Sequence, residues 1–320
     1  MFRKFYHAVA EAMESIAMLK DTQVEMLKNV RALQGQLSKL IRTPVTPQPP
    51  PERSQELTFD YEYHPKVRTW EDTRAIRQLR EIMAGPTQDY EALLDQLASF
   101  LPFFEAIPVH GPRDALTPYW VNGWFPAIDS ITLYGLLALR NPRAYVEIGS
   151  GNSTKFARQA IKDHALRTKI ISIDPSPRAE IDQLCDRTIR QACEDVETSF
   201  FESLTSEDVL FADNSHRSFQ NSDVTVFFME VLPALPKGTL VGLHDIFLPD
   251  DYIRGWEDRY YNEQYLLAAY IFGGMGGGSI LLPNWHVSKE PTLKARLDPV
   301  WKSAALAGLE DRGGAFWLIK

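Results

Sequence analysis

The sequence predicts an α/β fold: a doubly wound, mostly parallel sheet preceded by a helical extension and an N-terminal coiled-coil helix. Three observations carry that expectation. From residue 143 onward, short β-rich apolar runs alternate with amphipathic helical segments, the texture of parallel strands joined by right-handed helical crossovers. The first of these runs, YVEI, leads into a glycine turn, GSGNST (149–154), after which a helix begins. Far upstream, residues 2–41 contain no proline and one glycine, and apolar residues recur there at alternating steps of three and four, as a coiled coil requires.

Taken in order, the coiled-coil seam runs through Phe2, Tyr6, Val9, Met13, Ile16, Lys20, Gln23, Leu27, Val30, Gln34, Leu37 and Ile41. Its polar members Lys20, Gln23 and Gln34 would set register or oligomer number at some cost in stability. Residues 1–42 are therefore expected to form an oligomerisation helix and the chain a homo-oligomer. Residues 43–57, with the run TPVTPQPPPERSQ, read as a semi-rigid linker. A helix on a spacer is also a device for docking another protein of the same pathway. Residues 58–142 read as a helical subdomain, with helices near 70–84, 87–104 and 126–140 and an aromatic segment TPYWVNGWF before the last, which stops at Asn141-Pro142. The domain 143–320 then offers seven strands: RAYVEIG, TKIISID, RTIRQA, DVLFAD, GTLVGLHD, SILLPNWHVS and GAFWLIK. A helical stretch over 293–309 joins the last two, which are expected to close the sheet as an antiparallel pair.

Composition narrows the function classes. The chain has 320 residues and a net charge of −8, which argues against a polyanion-binding surface, so nucleic acid is not an expected partner. Its two cysteines, Cys185 and Cys193, cannot supply a disulfide framework or a four-thiolate zinc site. The opening MFRKFYHAVAEAMESIAMLK is interrupted by charge every few residues, unlike a signal peptide, and no apolar run approaches ~20 residues. A cytoplasmic protein with no membrane span is the expectation.

In a doubly wound sheet, ligands bind beyond the carboxyl ends of the strands where the strand order reverses. Gly149 and Gly151 allow a tight turn and close approach of a ligand, and the N–H groups of the helix start after them point into the crevice. Glu147, two places earlier, is costly in a buried strand unless a cation or hydrogen-bond donors meet it. The dinucleotide fingerprint would put a third glycine at position 154, where this chain has Thr154. Asp174 ends the second strand, where an acidic side chain can take both hydroxyls of a ribose. The fourth strand ends in Asp213, Ser215 and His216 and the fifth in His244 and Asp245, so two histidines and two carboxylates converge on one crevice. Histidine suits proton removal near neutral pH. His244 or His216 is the candidate general base, oriented by Asp245 or Asp213, with a purely structural role as the alternative for either histidine. After the fifth strand, Tyr252, Arg254, Trp256, Arg259, Asn262 and Glu263 are candidates to line a pocket for a polar acceptor, an arginine fork there binding a phosphate or carboxylate. The same segment, 248–267, also reads as an amphipathic helix covering the sheet.

EIGSGNST followed by SIDP resembles the first two motifs of class I S-adenosylmethionine-dependent methyltransferases. FADNSHRSFQNSDVTVFFMEVLPALPKGTLVGLHDIFLPDDY, NEQYLL and the terminal GAFWLIK resemble the bacterial methyltransferase-24 family, over roughly Trp120 to Lys320. The resemblance implies a Rossmann-like class I methyltransferase sheet with an antiparallel last strand, and S-adenosyl-L-methionine as cofactor. Carried over by position, Glu147, Gly149, Ser150, Gly151, Asn152 and Ser153 would surround the methionine part. Asp174 would hold the ribose, Glu194 or Asp195 would lie near the adenine, and Asp213 would also line the cofactor. Some sugar O-methyltransferases of this fold hold Mg²⁺ on carboxylates after the fourth and fifth strands. Asp213 and Asp245 match those positions loosely, with His244 standing where a second acidic ligand is expected. The reaction implied is O-methylation of a carbohydrate, glycan or related polar metabolite. Two alternatives stay open: an NAD-type oxidoreductase, opposed by Thr154 and Glu147, and a coiled-coil scaffold with a vestigial cofactor fold, opposed by Glu147, Gly149, Gly151 and Asp174 occurring together.

Overall fold

The computed structural model describes residues 73–112, 115–177 and 181–320, together with 28–29, 60–61 and 63–65. The chain divides into two units, Met1–Tyr63 and His64–Lys320. In the first, residues 28 and 29 are helical and exposed; the rest of the coiled-coil expectation and the Pro-rich linker lie outside the described residues.

In the second unit all seven expected strands form: β1 (Ala144–Ile148), β2 (Lys169–Ile173), β3 (Arg187–Ile189), β4 (Val209–Ala212), β5 (Leu240–Leu243), β6 (Ser279–Pro283) and β7 (Phe316–Ile319). They make one sheet in the order β3-β2-β1-β4-β5-β7-β6. The first five run parallel, and β7 lies antiparallel to both β5 and β6. This is the Rossmann-like class I methyltransferase sheet, and its strand order reverses between β1 and β4, where a crevice must open. β1, β4 and β5 are buried along their whole length, because helices cover both faces of a parallel sheet; hence their unbroken apolar spelling.

The longer helices are α1 (Arg74–Ala84), α2 (Thr87–Ala98), α3 (Ala127–Arg140), α4 (Asn152–Asp163) and α5 (Glu263–Phe272). Thr73 caps α1, its hydroxyl accepting from the Ile76 N–H at 3.3 Å, and the helix buries Ile76, Leu79 and Met83 at the 3/4 spacing of one face. α3 is buried from Ala127 to Leu137 and ends where Asn141 adopts φ 44°, a left-handed position that asparagine tolerates. It packs against both α4 and α2. Among the described residues no helix is long and apolar enough to cross a membrane.

Three expected elements differ. The helix over 87–104 is two, α2 and the short turn Leu101–Phe104, because Pro102 has no N–H to donate and its ring clashes with the carbonyl one turn back. The sixth strand stops at Pro283, and Asn284–Lys289 is helical. The Asn284 backbone N–H still donates to the Ala315 carbonyl at 2.9 Å, while its side-chain amide turns to Asp129 at 2.8 Å. The stretch 293–309 is a series of short turns, interrupted again by a proline, Pro299.

One staple sets the start of the central strands. The fully buried Asp208 takes two parallel bonds from Arg143, Nε to Oδ1 at 3.0 Å and Nη2 to Oδ2 at 2.6 Å, and also accepts from the backbone N–H groups of Ala144 and Thr205. It thereby ties the entry of β1 to the entry of β4. Burial opposes its charge, but Arg143 and the Thr205 bonds outweigh burial and hold the carboxyl below the usual carboxylate range. Asp208→Ala should lower the unfolding free energy at pH 7 by about 3 kcal/mol, because buried donors lose their acceptor. A carboxyl held low in the folded state stabilises above its unfolded value of about 3.9 and loses that contribution as pH falls further. Denaturant curves of the two proteins should therefore converge as pH falls below about 4.

Candidate active site

The glycine loop is built around a buried carboxylate. Both oxygens of Glu147, which has no solvent exposure, are held by hydroxyls: Tyr145 donates to Oε1 at 2.7 Å and Thr154 donates to Oε2. Ser153 adds a third hydroxyl. The Thr154 oxygen also accepts the Gly151 N–H at 3.0 Å. Thr154 is thus the clip that closes the loop onto the strand, a task no glycine at that position can perform. Of the partners that the sequence left open for Glu147, the structure supplies hydrogen-bond donors.

Gly149 has φ +76°, and a Cβ built there would lie 1.8 Å from the backbone oxygen of Asp213. Only glycine lets the loop rest directly on the end of β4. Gly151 differs: a Cβ at that position would meet nothing within 4 Å, so its bare side faces open space. Asp174 ties the loop to β2, accepting the Ser150 N–H on Oδ2 at 2.9 Å and the Ser176 N–H on Oδ1 at 2.8 Å. Asn152 and Ser153 begin α4. Asp195 and its neighbour Glu194, at a turn after β3, are exposed.

The ends of β4 and β5 bring together the four expected groups and two more. His216 is buried, its Nδ1 2.9 Å from Oε2 of the buried Glu263 and its Nε2 3.4 Å from both Asp213 Oδ1 and Asp245 Oδ2. His244 is also buried, its Nδ1 3.2 Å from Asp213 Oδ1 and 3.7 Å from Asp245 Oδ1. Its Nε2 faces Asp129 Oδ2 at 3.4 Å, too poorly aligned for a hydrogen bond. Burial opposes charge on His216, but its bonds to Asp213 and Glu263 and the charge of Asp245 outweigh that and hold the ring protonated well above the ordinary histidine range. His244 is likewise raised, because the charges of Asp213 and Asp245 overcome its burial. Burial would raise Asp213 too, yet the two imidazoliums pull it far below the usual carboxylate range. Of these groups only Asp213 and Asp245 reach solvent appreciably, with side chains 34% and 19% exposed. His216 and Asp245 both adopt left-handed backbone conformations, φ 58° and 55°, each costing about 1–2 kcal/mol for a residue with a Cβ.

Among the described residues no three His, Cys, Asp or Glu side chains are arranged to hold a metal ion. As arranged here, Asp213 and Asp245 do not fit a divalent cation, because His216 Nε2 already stands between their oxygens.

The segment after β5 is mostly irregular, with one turn at Glu257–Arg259 before α5, so the long amphipathic helix does not form. Two of its expected acceptor contacts are committed to the protein. The Tyr252 hydroxyl accepts the Gln264 N–H at 3.2 Å, its ring packed edge-on against Phe247, Tyr261 and Tyr265. Asn262 Oδ1 accepts the Ser218 N–H at 2.6 Å, and the Asn262 N–H donates to the His216 carbonyl at 2.9 Å. Asn262 therefore clips this segment to the His216 loop. Trp256 carries the Arg259 guanidinium on its face, while Arg254 is exposed. Sequence reasoning missed Asp129, whose only signal is an acid on the apolar face of α3, and Arg217 and Tyr261, which no motif marks.

Burial pushes the Glu147 carboxyl up to about 7, against the lowering effect of its hydroxyl partners. A group with a folded pKa above its unfolded value of about 4.3 binds its proton more tightly when folded. Its contribution to stability is therefore full below about pH 4 and declines as pH rises through about 7. The stability of the wild type relative to Glu147→Gln should fall by about 3 kcal/mol between pH 5 and pH 8. Parallel curves for the two proteins would show that Glu147 is already ionised at pH 5.

Residues 146–246, which run from β1 to just past β5 and contain the glycine loop and both strand-end histidines, match a family described as a methyltransferase domain. No curated protein matches the chain. Among solved structures the chain is similar to the S-adenosylhomocysteine-bound methyltransferase PaMTH1 of Podospora anserina, at 14% identity over 59% of this chain and 76% of that one, TM-score 0.35. It is similar to CmcI-N160 in its apo form at 16% identity over 66% of this chain and 81% of that one, TM-score 0.38. It is also similar to the MycE methyltransferase of the mycinamycin biosynthetic pathway, in complex with Mg, S-adenosylhomocysteine and mycinamycin VI. That match is 17% identical over 55% of this chain and 44% of that one, TM-score 0.31.

Proposed function

We propose that this chain is an S-adenosylmethionine-dependent methyltransferase that methylates a hydroxyl oxygen of a carbohydrate or related polar metabolite. The observation that carries the reading is the loop 149–152, which rests on the Asp213 carbonyl, is tied to Asp174, and leaves open space beside Gly151. The match of residues 146–246 to a methyltransferase domain supports the reaction class. When bound, the cofactor supplies an electrophilic methyl group on a cationic sulfonium. Carboxylates at the loop, Asp174 and Asp213, favour a cationic ligand there and disfavour a pyrophosphate, which counts against the NAD reading. Each Asp174 oxygen accepts one N–H in the protein, leaving further acceptor capacity for ribose hydroxyls.

His216 is the proposed base. It stands nearest the aromatic segment, its ring 4.7 Å from that of Tyr261, and Glu263 on Nδ1 fixes its orientation so that Nε2 faces Asp213 and Asp245. His244, enclosed between Asp129 and Asp213, is assigned to positioning Asp213. A base held protonated works only after losing its proton, so kcat/KM should rise with pH along a limb centred well above 6.5. His216→Gln should abolish that limb and lower kcat at least about 100-fold, whereas His244→Gln should shift the limb. Retention of the limb in His216→Gln would remove that residue from the role.

Calorimetry with S-adenosylhomocysteine, with NAD as the competing ligand, tests the cofactor. Gly151→Ala should fold with a stability within about 1 kcal/mol of wild type, since its methyl meets no protein atom, yet weaken S-adenosylhomocysteine at least about tenfold by filling ligand space. Gly149→Ala should be markedly destabilised. Binding of NAD alone would replace the methyltransferase reading with the oxidoreductase one.

A further inference from the structure

We infer that Arg217 and Arg259 form an oxyanion subsite beside the acceptor position, so that the methylated molecule carries a carboxylate or phosphate near its reacting hydroxyl. The inference rests on the methyltransferase reading and names the acceptor class for that site. Arg217 follows His216 directly in the loop after β4, and its Nε donates to the Arg259 carbonyl at 2.7 Å. Its guanidinium carbon lies 5.3 Å from the Tyr261 ring centroid. The Arg259 guanidinium carbon lies 3.9 Å from the Trp256 ring and 5.6 Å from the same Tyr261 ring. Stacking uses the flat face of each guanidinium and leaves in-plane N–H donors for a ligand.

Neither arginine has a carboxylate within ion-pair distance among the described residues, whereas Arg143, Arg158, Arg167 and Arg190 are each paired with Asp or Glu. Both unpaired groups are half-buried, in a chain with 42 acidic residues against 34 Lys and Arg. Two like charges gathered on one ring repel each other, and an oxyanion between them would relieve that repulsion with charge-assisted, bidentate bonds. Tyr261 also packs on His216, and Asn262 clips the segment to the His216 loop. The pair is therefore held at a set position relative to the proposed base, as a specificity contact requires.

The test uses the full chain saturated with S-adenosylhomocysteine and titrated with inorganic phosphate, with acetate and with neutral glucose, binding of the small molecules being followed by NMR. Phosphate or acetate should bind the wild type, and Arg217→Gln and Arg259→Gln should each weaken that binding about tenfold without changing glucose. Preference for phosphate assigns a phosphorylated acceptor, and preference for acetate a carboxylated one. Arg217→Lys and Arg259→Lys, which keep a charge but lose the fork, should retain more binding than the Gln variants. S-adenosylhomocysteine affinity, measured in parallel, reports whether each variant is folded. If neither anion binds the wild type, or if folded Gln variants bind anions as well as wild type does, the subsite is overturned. If S-adenosylhomocysteine fails to bind the wild type, the methyltransferase reading fails instead, whatever the anions do.

Discussion

The contact between Gly149 and the backbone oxygen of Asp213 is the constraint on which the rest of the site depends. With room for no Cβ there, the loop after β1 lies on the end of β4 at the point where the strand order reverses. That contact brings the glycine loop and the Asp213 carboxylate into one crevice. The buried network beneath it, Glu147 with Tyr145 and Thr154, holds the loop from the core side, and Asp174 holds it from β2. A loop fixed on three sides is preorganised, which keeps the ordering cost of binding low.

Beside this loop lies a dense array: the buried Asp129 and Glu263 and the part-buried Asp213 and Asp245 around His216 and His244. Carboxylates alone could not be buried together in ionised form, because like charges this close repel. Two imidazoliums make the arrangement sustainable, and the strained backbones of His216 and Asp245 add to its cost. Costly charge networks concentrated at a crevice are characteristic of functional sites. Here the cost is met by rigid surroundings: Asp129 is locked by Asn284, Gly314 and Ala315, and Phe125 and Phe211 pack against the His244 ring.

Much of this was legible in the sequence. Seven strands were readable because fully buried parallel strands spell unbroken apolar runs, and the turn was readable because close backbone approach demands glycine. His216, His244, Asp213 and Asp245 were found because each directly follows a strand that could be read. The breaks at Ala98 and Pro283 were less visible, since a local apolar pattern persists across them while Pro102 and the Asn284 bond to Asp129 decide otherwise. Tyr252 and Asn262 looked like ligand contacts because aromatic and amide groups serve both purposes; their partners, Gln264 and Ser218, are apparent only in three dimensions.

By itself the sequence determined the fold class, the crevice and the residue types at its rim, because periodicity, glycine placement and strand-end position are local properties of the chain. Only the tertiary structure decided what those residues do to one another. It paired Glu147 with hydroxyls, brought Asp129 to His244 across more than a hundred residues of chain, placed His216 between two carboxylates, and gathered Arg217 and Arg259 on one tyrosine ring. Protonation states and binding preferences arise from such long-range proximities, since burial and neighbouring charge fix them, and neither is written in any local stretch of sequence.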